Sequence, residues 1–290
     1  MKRVAIATIA VALLAGALVA GRGPAAALSA DELVAKNVAA RGGLDAWRKV
    51  ETMVWSGHIE SARAPAPNMR FELEQKRPNR TRLQVHAPGG APSMRVFDGV
   101  RGWKVRAAGG RPEVQPYTPQ ELMFARAGHG IDGPLIDHAA KGNSVTLEGV
   151  DEIGGRKAYR LSVHLANGGK EDVWIDSETY LDVRHDRMAD GPGGASRRVS
   201  VTYGDYRTIE GLRIPFLIET GGGPGATPDR MLLQRVVLNA PLEDSTFENP
   251  TASRLRHPGV TPRVPAAPAA PSTAPTAANA ASEARGAAPP

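Results

Sequence analysis

The sequence predicts an α+β protein, mostly antiparallel β, in which a meander of about eleven or twelve strands carries a few short helices. Three observations support this. Apolar and polar residues alternate with period 2 through run after run, the mark of a strand with one face on a core and one in water. The breaks between runs hold turn chemistry, as in Lys76-Arg77-Pro78-Asn79 and the hairpin signal Asn167-Gly168. Helical spacing is confined to short stretches whose apolar stripes are too narrow to make a domain without a sheet beneath them.

The chain opens with an export signal. Lys2 and Arg3 precede an uncharged, Ala-rich run over residues 4–20, and a small-residue cleavage pattern follows at Ala25-Ala26-Ala27. That run is short for a spanning helix, so residues 1–27 read as a cleaved signal peptide and the remainder as an envelope protein. The sequence holds no cysteine. Lipid attachment to a cysteine, a thiol nucleophile and a thiolate metal site are all excluded, and the fold must rest on its own core. From Thr251 to Pro290, 21 of 40 residues are Ala or Pro. Such a segment buries too little surface to offset its ordering entropy, so residues 251–290 read as a disordered tail or spacer. Residues 28–250 suit one antiparallel domain, or two small ones.

Within that span, Ser29-Ala30-Asp31-Glu32 is a capping box ahead of Leu33, Val34 and Val38. Gly42-Gly43 ends this helix, and a second short turn presents Leu44, Trp47 and Val50. The first strand, Thr52–Glu60, sets Met53, Trp55 and Ile59 on one face. In the next, Met69, Phe71, Leu73 and Gln75 alternate with Arg70, Glu72, Glu74 and Lys76. Pro78 breaks the ladder. Thr81, Leu83 and Val85 then alternate with Arg80, Arg82, Gln84 and His86. Met94 and Val96 lead into Phe97-Asp98-Gly99, and a further strand leaves through Trp103 and Val105.

Thr118-Pro119-Gln120-Glu121 starts another helix, with Thr as N-cap, Pro at N1 and Glu at N3, and Leu122, Met123 and Phe124 follow. After Gly128-His129-Gly130, residues 131–140 read as a further short helix carrying Leu135 and Ile136. These two pieces suit either a lid that swings over the sheet or a fixed cross-connection that plugs one end of it. The rest is strand by pattern, over residues 145–150, 159–165, 173–176, 181–185, 198–206, 213–220 and 231–238. Pro215 inside one of these marks an edge or a bulge.

The formal charge is +6, spread over the solvated faces of many strands. Peripheral contact with anionic lipid head groups is compatible with it, whereas nucleic acid is not expected, because no recognition motif accompanies the charge. No Rossmann or P-loop glycine pattern precedes a helix, and no cofactor is expected. Asp132, Asp137 and His138 lie close in sequence, as do His185 and Asp186, but neither group has a recognised zinc spacing. His185 and Asp186 on a strand face opposite ways. No serine sits in a Gly-x-Ser-x-Gly elbow. Nothing amounts to a catalytic constellation.

Several short motifs stand in a telling order. They are Lys76-Arg77-Pro78-Asn79, Phe97-Asp98-Gly99 with Trp103, Val173-Trp174-Ile175-Asp176, Tyr203-Gly204-Asp205-Tyr206 with Gly211-Leu212-Arg213-Ile214-Pro215, and Phe247-Glu248-Asn249-Pro250. With the signal peptide, the opening helix and the helical interruption, they resemble the LolA-type outer-membrane lipoprotein-sorting family and its longer relatives over roughly residues 29–250. The resemblance implies a strongly curved, unclosed half-barrel covered by short helices. Its apolar concave side would hold acyl chains or another lipid-like ligand in transit through the periplasm. It also implies that Arg77, matching an arginine of the family's carrier, helps hold the covering helices closed. The Pro/Ala tail and the Gly-rich turns at residues 191–194 and 221–223 depart from the family pattern, which bears on lipoproteins as cargo more than on the scaffold.

The physics of a wide half-barrel agrees, since its concave side cannot be filled by side chains alone. Burying one chain of about 14 to 16 carbons at ~0.8 kcal/mol per CH₂ contributes ~10 kcal/mol before ordering costs. Candidate lining residues are Trp55, Phe71, Leu73, Leu83, Val85, Met94, Trp103, Met123, Phe124, Leu161 and Val163, each of which could equally be ordinary core. The expected function is therefore non-enzymatic carriage of a lipid or lipoprotein acyl ligand. The alternatives are a sensor or module on the same scaffold that binds an envelope protein partner, and, behind it, an exported hydrolase.

Overall fold

The computed structural model describes residues 28–62, 68–90, 92–108, 111–128, 130–190, 196–221 and 227–250. The expected signal peptide and tail lie outside them, as do the glycines of residues 191–194 and 222–223. Helix α1 (Ala30–Ala40) and the short α2 (Leu44–Arg48) come first. Then follow β1 (Thr52–Glu60), β2 (Asn68–Lys76), β3 (Arg80–His86), β4 (Ser93–Phe97), β5 (Gly102–Ala108) and β6 (Arg111–Pro116). Helix α3 (Pro119–Ala127) and a run of turns lead to β7 (Ser144–Ile153), β8 (Arg156–His164), β9 (Lys170–Asp176) and β10 (Asp182–Asp190). β11 (Ser196–Ile209), β12 (Leu212–Gly221), β13 (Asp229–Leu238) and a 3-10 turn (Asp244–Phe247) complete the order.

The strands form one antiparallel sheet in the order β6-β5-β4-β3-β2-β1-β13-β12-β11-β10-β9-β8-β7. Two meanders thus run outward from the central pair β1 and β13, which joins the first strand to the last. The edge strands β6 and β7 are not partners, so the sheet stays an unclosed half-barrel. Both capping boxes form as the sequence predicts, Ser29 with Glu32 and Thr118 with Glu121. Gly57 marks a bulge in the β1–β13 ladder, where a Cβ would stand 2.0 Å from the Leu232 carbonyl oxygen. Pro215 lies on a stretch of β12 that pairs with β11 only, because β13 joins β12 just over Leu217–Thr220. It is a local edge, where a missing donor is harmless.

One strand goes unread in the sequence, and one expectation needs correction. The strand between Ala108 and the second helix start, β6, is not legible in the sequence because Pro112 and Pro116 interrupt it; as an edge strand it tolerates both. Residues 131–140 form turns rather than a helix. Gly133 and Asp137 take left-handed φ of 77° and 53°, and Pro134 has no amide to donate, so a helical ladder cannot run through them.

Alternation along the strands assigns two faces. On the inner face Met53, Phe71, Val201, Ile214 and Ile218 pack with Trp47 and Val50 after α1 and with Ile131 and Ile136 of the turns. Beside them α1 lays Leu33 and Val34, with Leu135, over Leu161, Val163, Val173 and Ile175. On the outer face Val54, Val96 and Trp103 are covered by Leu242 and Phe247. The 3-10 turn is pinned there by Asp244, which accepts from Lys76 at 2.8 Å and lies 2.6 Å from Arg80. Those two cations hold its carboxyl down at about 2.

Candidate functional site

Between the inner face and the segment that crosses it lies a cavity of about 490 Å³. Met53 and Trp55 of β1, Leu73 and Gln75 of β2, and Ile214 and Ile218 of β12 line its walls. Phe124 of α3 and Ile131, Pro134 and Leu135 of the turns roof it. The size falls within the roughly 300–1,000 Å³ of small-molecule sites.

One end of the cavity is polar. His185 Nε2 stands 2.8 Å from Glu171 Oε2, and both side chains are buried. Arg187, Asp182 and Tyr203 border the same region. Burial, aided by Asp182, pushes the Tyr203 phenol far up, so its hydroxyl stays neutral. Tyr206 is raised for the same reason and donates to the Asp182 carbonyl at 2.9 Å. His185 and Asp186 do face opposite ways, since Asp186 on the outer face accepts two bonds from Arg184.

The cover is tied down at both ends. At one end alternate residues of the Lys76-Arg77-Pro78-Asn79 region work on opposite faces. Inward, Gln75 Nε2 donates to Gly130 O at 3.1 Å and Asn79 Nδ2 to Ala125 O at 3.0 Å. Arg77 donates to Val50 O at 2.7 Å, Trp47 O at 3.0 Å and Asp132 Oδ2 at 2.7 Å. Outward, Lys76 and Arg80 hold Asp244 as described above. Asp132, only 2% exposed, also accepts from Lys141 at 2.5 Å, while Arg41 donates to its carbonyl at 3.1 Å. Burial pushes the Lys141 ammonium down, and Asp132 offsets this only in part. Asp137 adds a two-pronged pair with Arg48, both bonds at 2.8 Å.

At the other end buried Glu121 accepts both bonds from Lys104 at 3.0 Å and lies 3.3 Å from Arg95. Burial pushes its carboxyl up, but the Thr118 amide, Lys104 and Arg95 together hold it below the ordinary range. Gln120 Nε2 reaches across to Ser196 Oγ on β11 at 3.1 Å. Helix α3 therefore spans from β5 to β11, over the open side of the sheet.

The sequence-chosen residues distribute unevenly around this cavity. Trp55, Leu73 and Phe124 border it, and Arg77 stands at the base of the cover. Phe71, Leu83 and Val85 share the inner face but pack into its core cluster. Leu161 and Val163 are fully buried beneath α1, which fills that part of the half-barrel. Met94 and Trp103 face outward, toward the cluster of Phe247 and Leu242, and Met123 points to solvent at 53% exposure. Sequence patterning missed Glu171, His185 and Arg187, because polar residues on a strand read as its wet face, and it set Gln75 on the apolar face without assigning it a role at the site.

No family model and no curated protein matches the sequence. Solved structures do. An outer membrane lipoprotein-sorting protein domain from Vibrio parahaemolyticus is similar with a TM-score of 0.52 at 13% identity, covering 77% of this chain and 97% of that one. A DUF1329 family protein from Desulfovibrio piger gives 0.50 at 12% identity, over 77% and 98%. The fold is LolA-like. A LolA superfamily protein from Nitrosomonas europaea is also similar, with a TM-score of 0.49 at 13% identity, over 77% and 98%. At such identities the likeness is one of fold. Among the described residues no helix is long and apolar enough to cross a membrane.

Proposed function

We propose that this LolA-like chain is an exported, non-enzymatic carrier that holds one lipid-like ligand, an acyl chain or a lipoprotein acyl group, in its covered cavity within the periplasm. The observation that carries this reading is the cavity of about 490 Å³ under a cover fastened by side chains rather than fused to the sheet. Taking about 30 Å³ for a water-sized group, it offers room for about 16 groups the size of a methylene. That is one extended chain, not three. Its apolar walls would be the source of affinity, through the area removed from water. The cover would act as a lid, with Arg77 and Asp132 as its latch, and entry would require it to open.

The test is uptake of a fluorescent acyl probe by the purified protein. Saturable binding of one probe per chain, quenched when the cavity is narrowed by Ile214→Trp with folding intact, is the expected result. Binding that is unchanged by Ile214→Trp would place the probe elsewhere and remove this function.

A further inference from the structure

On the β1–β2 wall of the cavity two polar atoms have no partner among the described residues. Gln75 is 8% exposed, and its Nε2 donates to Gly130 O at 3.1 Å. That bond fixes the orientation of the amide, because a carbonyl can only accept. The Oε1 of Gln75 is thereby left buried and accepting nothing. On the neighbouring strand the Trp55 Nε1, a donor only, is also buried and donates to nothing. The β1–β2 register pairs Met53 with Gln75 and Trp55 with Leu73, so Trp55 and Gln75 are diagonal neighbours on the same face, and both border the cavity. Side-chain reach across such a diagonal is ordinary. Buried polar groups in native proteins are almost always satisfied, so an unpaired donor and an unpaired acceptor on neighbouring strands of the cavity wall call for an explanation.

We propose that the ligand bears, within its apolar body, a neutral group that both donates and accepts a hydrogen bond, a hydroxyl or a secondary amide, set between Gln75 Oε1 and Trp55 Nε1. This rests on the carrier function above and names the class of its ligand. A plain alkyl chain would cover both atoms and leave them unpaired. A carboxylate or phosphate could accept from Trp55 but would face the Gln75 oxygen with a second acceptor. A hydroxyl or amide satisfies both. Discrimination then comes from the site's own unmet groups, which disfavour any ligand lacking the matching pair. Trp55 is the selective residue of the two, since its N–H supports nothing else in the fold.

The test is a displacement titration with myristic acid and a series of its hydroxylated isomers, the hydroxyl moved stepwise along the chain. At least one isomer is expected to bind about tenfold more tightly than myristic acid, the gain of satisfying both atoms. Trp55→Phe should cut that preference to about threefold or less, read as a ratio to the same variant's own affinity for myristic acid. Gln75→Leu should do likewise, with a looser cover from the lost bond to Gly130. Equal affinity across the series in the native protein would overturn the proposal and leave the carrier function standing, water then filling the polar spot. A preference that survives Trp55→Phe and Gln75→Leu would overturn it too. Binding of no member would overturn both.

Discussion

Replacing Arg77 by Leu should loosen the cover far more than it weakens the sheet. Arg77 makes three bonds inward, to Val50 O, Trp47 O and Asp132 Oδ2, at 2.7, 3.0 and 2.7 Å. Hydrogen bonds to charged groups are worth roughly 1.5–3 kcal/mol each, and losing one partner of a buried pair adds the cost of the charge left behind. Lys141 stays on Asp132 and limits that second cost, and the three bonds share one side chain, so they do not add. A net loss of about 2–3 kcal/mol follows, which raises the open population about 30- to 150-fold. Native-state hydrogen exchange should report this as faster exchange across α3 and residues 130–142, with the amides of β1, β12 and β13 little changed. Ligand release should accelerate by a similar factor. A uniform fall in protection over the whole sheet, or no change over the cover, would refute a latch at Arg77.

Other outcomes follow from the same contacts. Glu121→Ala should free the α3 end and leave half-buried Lys104 unpaired, lowering stability by about 2–3 kcal/mol in a denaturant titration. The Glu121 carboxyl is held below its ordinary range, so its contribution is complete above the ordinary Glu value and is lost as pH falls through the depressed one. Thermal scans should therefore show a decline in acid that Glu121→Gln reduces. Phe247→Ala should cost about 3–5 kcal/mol, because Phe247 is fully buried against Val54, Val96 and Trp103. A change below about 1 kcal/mol would show that residues 240–247 are not part of the folded unit. Gly42→Ala should cost at least about 2 kcal/mol by calorimetry, since φ is 114° and the new Cβ would meet Gly211 O at 2.6 Å.

Strand alternation was legible because it is local, and so were both capping boxes, whose partners stand three residues apart. Which face of a strand points inward is not local. Met94, Val96 and Trp103 alternate as cleanly as Leu73 and Phe71, yet they face out, because residues 240–247 return from far along the chain to cover them. The cavity's polar end was hidden for a related reason. Glu171 and His185 look like a solvated face until β9 and β10 pair and bury them against each other. The turns of residues 131–142 carry helix-like apolar spacing, and only Gly133, Pro134 and the left-handed Asp137 argue against a helix. The inward alternation of Gln75, Arg77 and Asn79 was present in the sequence, but its meaning depends on a cover that only the fold brings within reach.

Native mass spectrometry of the full chain purified from the envelope of a producing cell, followed by solvent extraction, tests the carrier function most directly. A co-purifying acyl species near one per chain, lost on widening the opening with Arg77→Leu, is the predicted result. A protein that is isolated without lipid, and that takes up no acyl chain when one is offered, would contradict it and shift the function toward recognition of a protein partner on the same LolA-like scaffold.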